Sequence, residues 1–480
     1  MNFASVRYVI GCILQFEAAF LLVPSLVGVI YHEHTAVPAY LGTALICVIL
    51  GSLLRLKRPK NFELYIREGF ASVALGWFIM SVFGAIPFVL TGDIPHYVDA
   101  LFETISGLTT TGASVLTEVE YLSRTGLFWR SFTHWLGGMG VFVFIMAILP
   151  LMGGSTINLM RAESTGPAVG KLVPRVKDTA KILYELYIGF TVLETIVLCL
   201  CGMSLYDSLT TTFGTVGTGG FGIRNDSMAG FSPLIQNVVT TFMILSGVNY
   251  AVYFCLIHRH FKEAFSIEEV RWYFLMILGS VGLITLNIRS MYPSLEETLR
   301  HAFFQVGSLA TSTGFSTVDY DTWPQLSKTI LILVMFVGAC AGSTGGGIKV
   351  SRVLILLKAI KKELLTMIHP RMVKKIKIDG HVLSHETMRS TNVFITVYCV
   401  IFLTSILLVS FNEFDFTTNA TGVLATLNNM GPGFALVGPS QNFSVFSSFS
   451  KCVFMFDMLA GRLELFPMLI ILVPSCWKKY

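Results

Sequence analysis

The sequence predicts an all-α polytopic membrane protein in which two N-terminal helices precede four repeats of span, short helix, polar loop and span. The first observation behind this fold class is composition. Of the 480 residues, 53% are apolar and 13% are charged, whereas soluble domains carry about 25% charged residues. The second is a polar stretch that recurs four times between apolar segments. A mean hydropathy of +0.69 agrees with the first observation.

Apolar runs long enough to cross about 30 Å of hydrocarbon recur along the whole chain. We predict ten crossings, near residues 5–31, 36–55, 70–92, 127–150, 182–204, 232–257, 272–290, 325–357, 390–411 and 445–476. No small-residue cleavage signature follows the first of them. We therefore expect a retained helix rather than a removed signal peptide.

Lysine and arginine collect in alternate loops, near 55–67, 161–177, 259–262, 358–377 and 478–479, and the opposite loops carry several acids. Because cytoplasmic loops are enriched in basic residues, both termini are expected to be cytoplasmic. The net charge of +5 follows from this bias and gives no reason to expect a nucleic-acid partner. A second interpretation of the basic face is a docking surface for an acidic or regulatory protein.

The four repeats share one layout, in which a segment of about ten residues, too short to span, precedes a polar run. They lie at 100–114, 208–222, 301–316 and 422–435. One glycine from each is aligned, namely Gly112, Gly219, Gly314 and Gly431, at separations of 107, 95 and 117 residues. The predicted domains are 1–67 for the two N-terminal helices, then 68–165, 166–265, 266–385 and 386–480 for the four repeats.

Non-helical backbone at membrane depth is tolerated only where it is buried in protein or lines water. Four such loops from one chain satisfy this condition if they meet on a pseudo-fourfold axis, so the repeats predict a pore. A short helix followed by a run of backbone carbonyls is the design of a potassium filter. The C-terminal end of each helix, with about half a negative charge, would point towards a central cation. Ordinary external loops would explain one copy but not four in register.

The residue types in the repeats suit a filter, because hydroxyls stand beside a flexible glycine. The candidate filter residues are Thr110, Thr111, Gly112, Thr218, Gly219, Thr313, Gly314, Asn429, Met430 and Gly431. The fourth copy lacks threonine, which predicts an asymmetric filter. Residues 215–219, TVGTG, also match the potassium-channel string TVGYG and would shift repeat 2 by two residues. The internal alignment favours Gly219.

Residues 338–350 read GACAGSTGGGIKV and interrupt the eighth apolar run. The stretch departs from a phosphate-binding loop because Ile348 separates the last glycine from Lys349 and Val350 follows the lysine. We therefore expect no nucleotide site in this chain. Each glycine weakens a helix by about 1 kcal/mol relative to alanine, so the crossing should break. The predicted gating loop below the filter contains Gly342, Ser343, Thr344, Gly345, Gly346 and Gly347.

Four charged residues have two interpretations each. Lys349 and Arg352 begin the inner half of the broken crossing and are either gate residues or topology anchors. Arg462 lies deep inside the last crossing, where a charge costs at least about 2.5 kcal/mol, so it should face a cavity or a partner. The alternative partners are Asp457 and Glu464. Glu103 either supports the first filter loop by hydrogen bonding or attracts cations.

Two other function classes are disfavoured. The sequence contains no Ser/His/Asp or HExxH arrangement at a plausible depth, and its nine cysteines have no metal-ligand spacing, so we do not expect an enzyme. A secondary carrier of another monovalent cation, Na⁺ or an ion-coupled symport substrate, would predict helix breaks in corresponding halves. The sequence indicates one obvious break only.

The stretches SGLTTTGAS, TVGTGGFG, ATSTGF, NNMGPG and AGSTGGGIKVSR resemble the superfamily of Trk, Ktr and plant HKT potassium transporters, in particular its Trk-type bacterial membrane subunit. The resemblance covers nearly the whole chain. It implies K⁺ as the transported ion, a homodimer in the lipid of a bacterial inner membrane, and a cytoplasmic nucleotide-binding regulatory subunit. It also implies that the aligned glycines, with Thr111, Thr218, Thr313, Asn429 and Met430, form the filter.

The same resemblance implies that the loop at about 338–347 is an intramembrane gate and that Arg462 projects into the inner pore beside it. Within the plant members, serine in place of the first filter glycine accompanies sodium transport. Gly112 is present here, which favours K⁺.

Overall fold

The structure is a computed structural model, and it describes residues 1–57, 65–138, 140, 176–372 and 375–478. Regular structure in these ranges is helical, as predicted, apart from one antiparallel hairpin of β1 (Lys377–Ile378) and β2 (His381–Val382). The predicted domain boundary at 165/166 and the basic residues predicted at 161–175 lie outside the described residues. The predicted division into N-terminal helices and four repeats, with its boundaries, stays a prediction.

The two N-terminal helices are α1 (Phe3–Ile30) and α2 (Ala36–Arg55). The first repeat supplies α3 (Ile66–Thr91), α4 (Tyr97–Leu108) and α5 (Arg124–Gly138). The second supplies α6 (Val176–Leu200), α7 (Leu205–Val216), α8 (Pro233–Ser246) and α9 (Tyr250–Ile257).

A short helix, α10 (Phe261–Ser266), leads into the third repeat, which contains α11 (Glu268–Ile288), α12 (Leu295–Ala310), α13 (Gln325–Val337) and α14 (Val350–Ile368). The fourth contains α15 (His385–Val409), α16 (Phe416–Leu427), α17 (Ser448–Arg462) and α18 (Phe466–Leu472).

The four short helices α4, α7, α12 and α16 are 12, 12, 16 and 12 residues long, too short to cross the hydrocarbon. Side chains of Ser204, Ser294 and Asp415 accept hydrogen bonds from backbone N–H groups at the starts of α7, α12 and α16. Such caps fix where a helix begins. The hydroxyl of Thr418 donates to the Asp415 carboxyl and, with backbone donors, lowers its pKa.

The repeats pack in a closed cycle, because the helix that follows each polar loop contacts the short helix of the next repeat. Helix α5 packs on α7, α8 on α12, α13 on α16, and α17 returns to pack on α4. The last helix, α18, also packs against α3. The four polar loops are thereby gathered at the centre of one chain, as the predicted pore requires.

The outer surface is apolar, as expected of a protein surrounded by lipid. Large side chains such as Leu26, Leu45, Leu286 and Leu407 are exposed. Six described helices are long and apolar enough to cross a membrane, and the bent pair α8 and α9 would make a seventh. The remaining predicted crossings correspond to interrupted helices, or in part to residues outside the described ranges.

The expectation of a single helix break was wrong. Three of the helices that follow a polar loop are interrupted within the described residues. Helices α8 and α9 meet at 93° across Gly247 to Asn249, α13 and α14 are separated by residues 338–349, and α17 ends at Arg462 before α18 begins at Phe466. The predicted tenth crossing, 445–476, is therefore not one continuous helix.

Candidate functional site

The four short helices end in the same C-terminal motif, which turns the chain out of the helix at the molecular centre. In each copy one residue has a positive φ near 55°, namely Thr110, Thr218, Ser312 and Asn429. The N–H of the following residue bonds to the carbonyl five residues earlier, at 2.8 Å in all four copies: Thr111 to Ser106, Gly219 to Gly214, Thr313 to Ser308 and Met430 to Ala425. This is the Schellman termination, repeated four times.

Glycine follows two residues after each positive-φ residue, and it is the position that brings the repeats into contact. These glycines are Gly112, Gly220, Gly314 and Gly431, with φ between 77° and 86°. A Cβ on each would press on the carbonyl oxygen of the residue before the glycine in the next repeat, namely Gly219, Thr313, Met430 and Thr111 in turn. The four contacts close into a cycle, which we call the carbonyl ring after the oxygens of Thr111, Gly219, Thr313 and Met430.

The predicted register of repeat 2 was wrong by one residue. Gly220, not Gly219, is the equivalent of Gly112, Gly314 and Gly431, because it has the positive φ and the contact with the next repeat. Gly219 instead occupies the position of Thr111, Thr313 and Met430. The two-residue shift suggested by the TVGYG string is likewise not observed.

A buried histidine explains why repeat 2 has glycine at position 219. The imidazole of His134, on α5, lies where a Gly219 side chain would be. Its Nδ1 is 2.9 Å from the carbonyl oxygen of Gly107, and its Nε2 accepts the N–H of Phe221 at 3.1 Å. These roles require the neutral ring with the proton on Nδ1. His134 thus ties the end of α4 to the loop of repeat 2. Sequence reasoning missed this residue, although its place in HWLGGMG beside two glycines was a signal of close packing.

A small polar cavity of about 130 Å³ lies directly outside the carbonyl ring. All four positive-φ glycines line it, together with polar residues such as Ser114, Asn225 and Gln441. A hydrated cation arriving from the external side would meet this cavity first.

Glu103, for which two roles were predicted, is bonded to the loops behind the ring. Its carboxylate accepts from Ser114 Oγ at 2.9 Å and from Val115 N at 3.1 Å, and it pairs with the buried Arg130. Arg130 also donates to the Gly222 carbonyl at 2.8 Å and stacks over Phe221 at 3.6 Å. This geometry fits the supporting role, because the carboxylate holds loop 1 and reaches loop 2 through Arg130.

The predicted break in the eighth crossing is present. Helix α13 ends at Val337 and α14 begins at Val350, and the segment between them folds back against the bend of repeat 2. Cys340 N donates to the Gly247 carbonyl, and Tyr250 N donates to the Gly342 carbonyl, each at 3.1 Å. Gly338, Gly342 and Gly347 have φ between 70° and 85°, a conformation that other residues adopt at a cost.

The loop presses on the inner side of the carbonyl ring. A Cβ on Gly345 would lie 2.7 Å from the carbonyl oxygen of Thr311, and one on Gly346 would overlap that of Asn428. The N–H of Gly346 donates to the hydroxyl of Ser312, the positive-φ residue of repeat 3. The loop backbone therefore packs against the C-terminal ends of α12 and α16, and it leaves no room for larger side chains at Gly345 and Gly346.

Arg462 connects the loop to the end of the first short helix by hydrogen bonds. Its guanidinium donates to Thr110 Oγ1 at 3.1 Å and to the Thr344 carbonyl at 3.0 Å, and it also bonds the Gly137 carbonyl. Contrary to the expectation of a mid-helix position, it is the last residue of α17. Of the alternative acidic partners, Asp457 accepts from Ser405 Oγ, and Glu464 pairs with Arg352.

Lys349 and Arg352 are buried, 3% and 5% exposed, and the choice between gate residues and topology anchors stays a prediction. The ammonium group of Lys349 donates to the Gly345 carbonyl, across the loop that precedes it. Arg352 pairs with Glu464, which lies between α17 and α18. Lys349 thus cross-links the loop internally, and Arg352 ties the start of α14 to the segment between α17 and α18.

Chemically, the arrangement offers a small cation a ring of carbonyl oxygens at the point where four helix C-termini converge. Carbonyl oxygens can replace water around a cation, and each helix end adds a partial negative charge of about half a unit. The loop and the guanidinium group of Arg462 lie against the helix ends beside this ring. The candidate site thus brings carbonyl oxygens, helix C-termini and one buried positive charge together.

The chain is similar over its whole length to known cation transport proteins. The model of the TrkH family of cation transport proteins matches residues 37–479. The Trk system potassium uptake protein TrkH of Salmonella typhimurium is 36% identical over 487 residues and is covered, like this chain, to 100%. TrkG of Escherichia coli, of the same description, is 32% identical with the same coverage. The crystal structure of the potassium transporter TrkH from Vibrio parahaemolyticus superposes with a TM-score of 0.89 at 32% identity over 100% of both chains.

Proposed function

This chain belongs to the TrkH family of cation transport proteins, and we propose that it takes up K⁺ across a bacterial inner membrane through the carbonyl ring. The observation that carries the proposal is the cyclic contact between the four positive-φ glycines and the four ring carbonyls. A closed ring of oxygens at the convergence of four helix C-termini selects for a small monovalent cation. The filter comprises the residues predicted from the sequence, with Gly220 added as the fourth positive-φ glycine.

Potassium is the proposed ion for two reasons. The relatives are named potassium uptake proteins or potassium transporters. In addition, the first ring glycine is Gly112 rather than serine, and its φ of 81° is readily accessible to glycine.

The proposed gate consists of the loop at about 338–347 and Arg462. In this arrangement the loop blocks the inner exit, and the positive charge of Arg462 opposes a cation below the ring. Opening requires the loop to leave the ends of α12 and α16. We assign control of this step to a cytoplasmic nucleotide-binding subunit, since the relatives are described as parts of a Trk system. Two copies of the chain form the proposed dimer in the lipid.

The direct test is ion flux through the purified protein in liposomes. Uptake of Rb⁺ as a potassium tracer should be much faster than uptake of Na⁺, because the ring oxygens replace the hydration shell of the larger ion. Addition of the regulatory subunit with nucleotide should change the rate. Protein-free liposomes are the control, and equal Rb⁺ and Na⁺ rates would contradict the filter assignment.

A second candidate is a secondary carrier of another monovalent cation, which the three interrupted helices favour, because broken helices commonly form carrier sites. The two functions differ in their energy source. A carrier would move its ion only when a coupling gradient of H⁺ or Na⁺ is applied, whereas a gated pore would follow the K⁺ gradient alone.

A further inference from the structure

Both ends of the loop converge on one carboxylate that lies outside the residues discussed so far. Oε1 of Glu269 accepts the N–H of Ala341 at 2.7 Å and the N–H of Ser351 at 3.0 Å. Glu269 is 6% exposed and stands in the first turn of α11. Ala341 precedes the glycine-rich loop and Ser351 follows it, so one oxygen closes the loop at its base.

The two donors occupy different structural elements, which makes the contact a constraint on the loop rather than on one helix. Ser351 is in the first turn of α14, whose first N–H groups have no partner inside the helix. Ala341 lies in the non-helical segment between α13 and α14, immediately before Gly342. A buried N–H group that loses its acceptor costs about 1–3 kcal/mol, whatever the charge of that acceptor. Removal of Glu269 would leave both ends free to separate.

The neighbouring residue, Glu268, connects the same turn to the cytoplasmic surface. Its N–H donates to Asp379 Oδ1 at 2.6 Å, and its carboxylate pairs with Lys358 on α14. The ammonium group of Lys358 also donates to the carbonyl of Lys377, in β1 of the hairpin, at 2.7 Å. The side chains of Glu268 and Lys358 are 24% and 27% exposed. The surface hairpin is thus connected to the loop through two adjacent residues, Glu268 and Glu269.

We propose that Glu269 is a positioning residue that holds the gating loop closed, and that Glu268 and Lys358 link this latch to the hairpin of residues 377–382. The inference rests on the proposed gate and extends it, since it names the contact that must break for the loop to leave the ring. A cytoplasmic protein that displaces the hairpin would pull on the turn that carries Glu269.

The test is basal Rb⁺ flux of the full chain in liposomes for three Glu269 variants. Glu269→Ala should raise flux at least about tenfold, because the N–H groups of Ala341 and Ser351 both lose their acceptor. Glu269→Asp should also raise it, since the shorter side chain cannot reach both donors. Glu269→Gln keeps Oε1 in place and should remain close to the wild type. Glu263→Ala, an exposed glutamate on α10, is the matched control and should have no effect.

Lys358→Ala tests the link to the hairpin. It should raise basal flux by up to about fivefold, because the pair is partly exposed and such pairs contribute little each. Lys361→Ala, on an exposed face of the same helix, is its control. The Rb⁺ to Na⁺ ratio should be unchanged in all these variants, since the ring itself is intact. An altered ratio would overturn the positioning role.

Deletion of residues 343–347 in the same assay distinguishes a failure of the Glu269 latch from a failure of the proposed gate. If the deletion raises flux and neither Glu269→Ala nor Glu269→Asp does, the latch is wrong and the gate stands. If the folded deletion variant also has the low basal flux of the wild type, the proposed gate itself is wrong. Should Glu269→Ala fail to fold, the contrast between the Asp and Gln variants decides.

Discussion

At the residue scale, the four positive-φ positions at the helix ends are notable because none of them is glycine. Thr110, Thr218, Ser312 and Asn429 adopt a conformation that costs a residue with a Cβ about 1–2 kcal/mol. Side chains at three of these positions contact neighbouring segments: Thr110 meets Arg462, Ser312 meets Gly346, and Asn429 donates to Thr111 Oγ1 at 2.9 Å. At Thr110 and Ser312 the hydroxyl connects a helix end to Arg462 or to the loop, and at Asn429 the amide connects two repeats of the ring.

The register of repeat 2 gives a prediction at this scale. Gly220→Ala should abolish most K⁺ flux, because its φ of 77° disfavours alanine and the new Cβ would overlap the Thr313 carbonyl. Rb⁺ uptake by purified protein is the measurement. Gly189→Ala, on α6 of the same repeat, is the control, since nothing lies within 4 Å of a Cβ there. Unchanged flux in Gly220→Ala would refute the corrected register.

Arg462 gives a second prediction. Arg462→Ala should raise basal flux about tenfold, because a positive charge and its bonds to Thr110 and the Thr344 carbonyl are removed. Arg462→Lys keeps the charge but not the forked geometry, and it should give a smaller rise. Thermal unfolding of both variants checks that they fold. A stable Arg462→Ala protein with wild-type flux would exclude the arginine from the gate.

Sequence reasoning identified three of the four positive-φ glycines that contact the carbonyl ring. It missed the fourth for a specific reason. In repeats 1 and 3 a single glycine follows the polar residues, and in repeat 4 Gly431 comes before Gly433, so Gly112, Gly314 and Gly431 could be aligned. Repeat 2 offers Gly217, Gly219 and Gly220 within four residues. Which of them takes the positive φ depends on the position of His134, 85 residues earlier than Gly219, and no local pattern contains that information.

At the element scale, helices in this chain end for two different reasons. The interruption between α13 and α14 follows from glycines and was predicted. The bend after Ser246 contains one glycine, Gly247, and the stop at Arg462 is followed by Leu, Glu and Leu at 463–465. Glu464 and Leu465 nevertheless have φ values of 57° and 69°. These breaks are imposed by packing around the ring, which sequence periodicity does not record.

The loop itself gives a prediction at this scale. Deletion of 343–347 should raise basal Rb⁺ flux, because it removes the chain that contacts the ends of α12 and α16. Replacement of the same five residues by an unrelated glycine and serine pentapeptide keeps the length and should raise flux less. Liposome uptake with matched protein amounts is the measurement. Equal flux in the deletion, the replacement and the wild type would mean that the loop does not obstruct conduction.

At the scale of the whole molecule, the cycle of helix contacts and the apolar exterior follow from composition and repetition, which is why the fold class was predictable. The two chain ends meet: the N-terminal ammonium group donates to the Lys478 carbonyl at 2.9 Å, beside the ion pair of Arg67 and Glu68. The ends therefore share one face of the protein. Sequence alone predicted the same side for both ends from the distribution of basic loops.

This contact leads to a topology prediction. A green fluorescent protein fused to either terminus should fluoresce in cells, and alkaline phosphatase fused to either terminus should be inactive, because both ends are expected in the cytoplasm. Fusions in the external segment near residue 226 serve as the opposite control. Reporters that place the two termini on different sides would contradict the arrangement of Met1 against Lys478.

The carbonyl ring is built from four unequal segments of one gene product. In an assembly of identical subunits, one codon change alters every quarter of such a ring together, and a harmful change is multiplied by four. Here each quadrant can mutate separately. Because the repeats differ, Thr110 of repeat 1 binds an arginine, Ser312 of repeat 3 binds the loop backbone, and Gly219 of repeat 2 leaves space for a histidine. A single substitution can therefore change conduction through one repeat at a time.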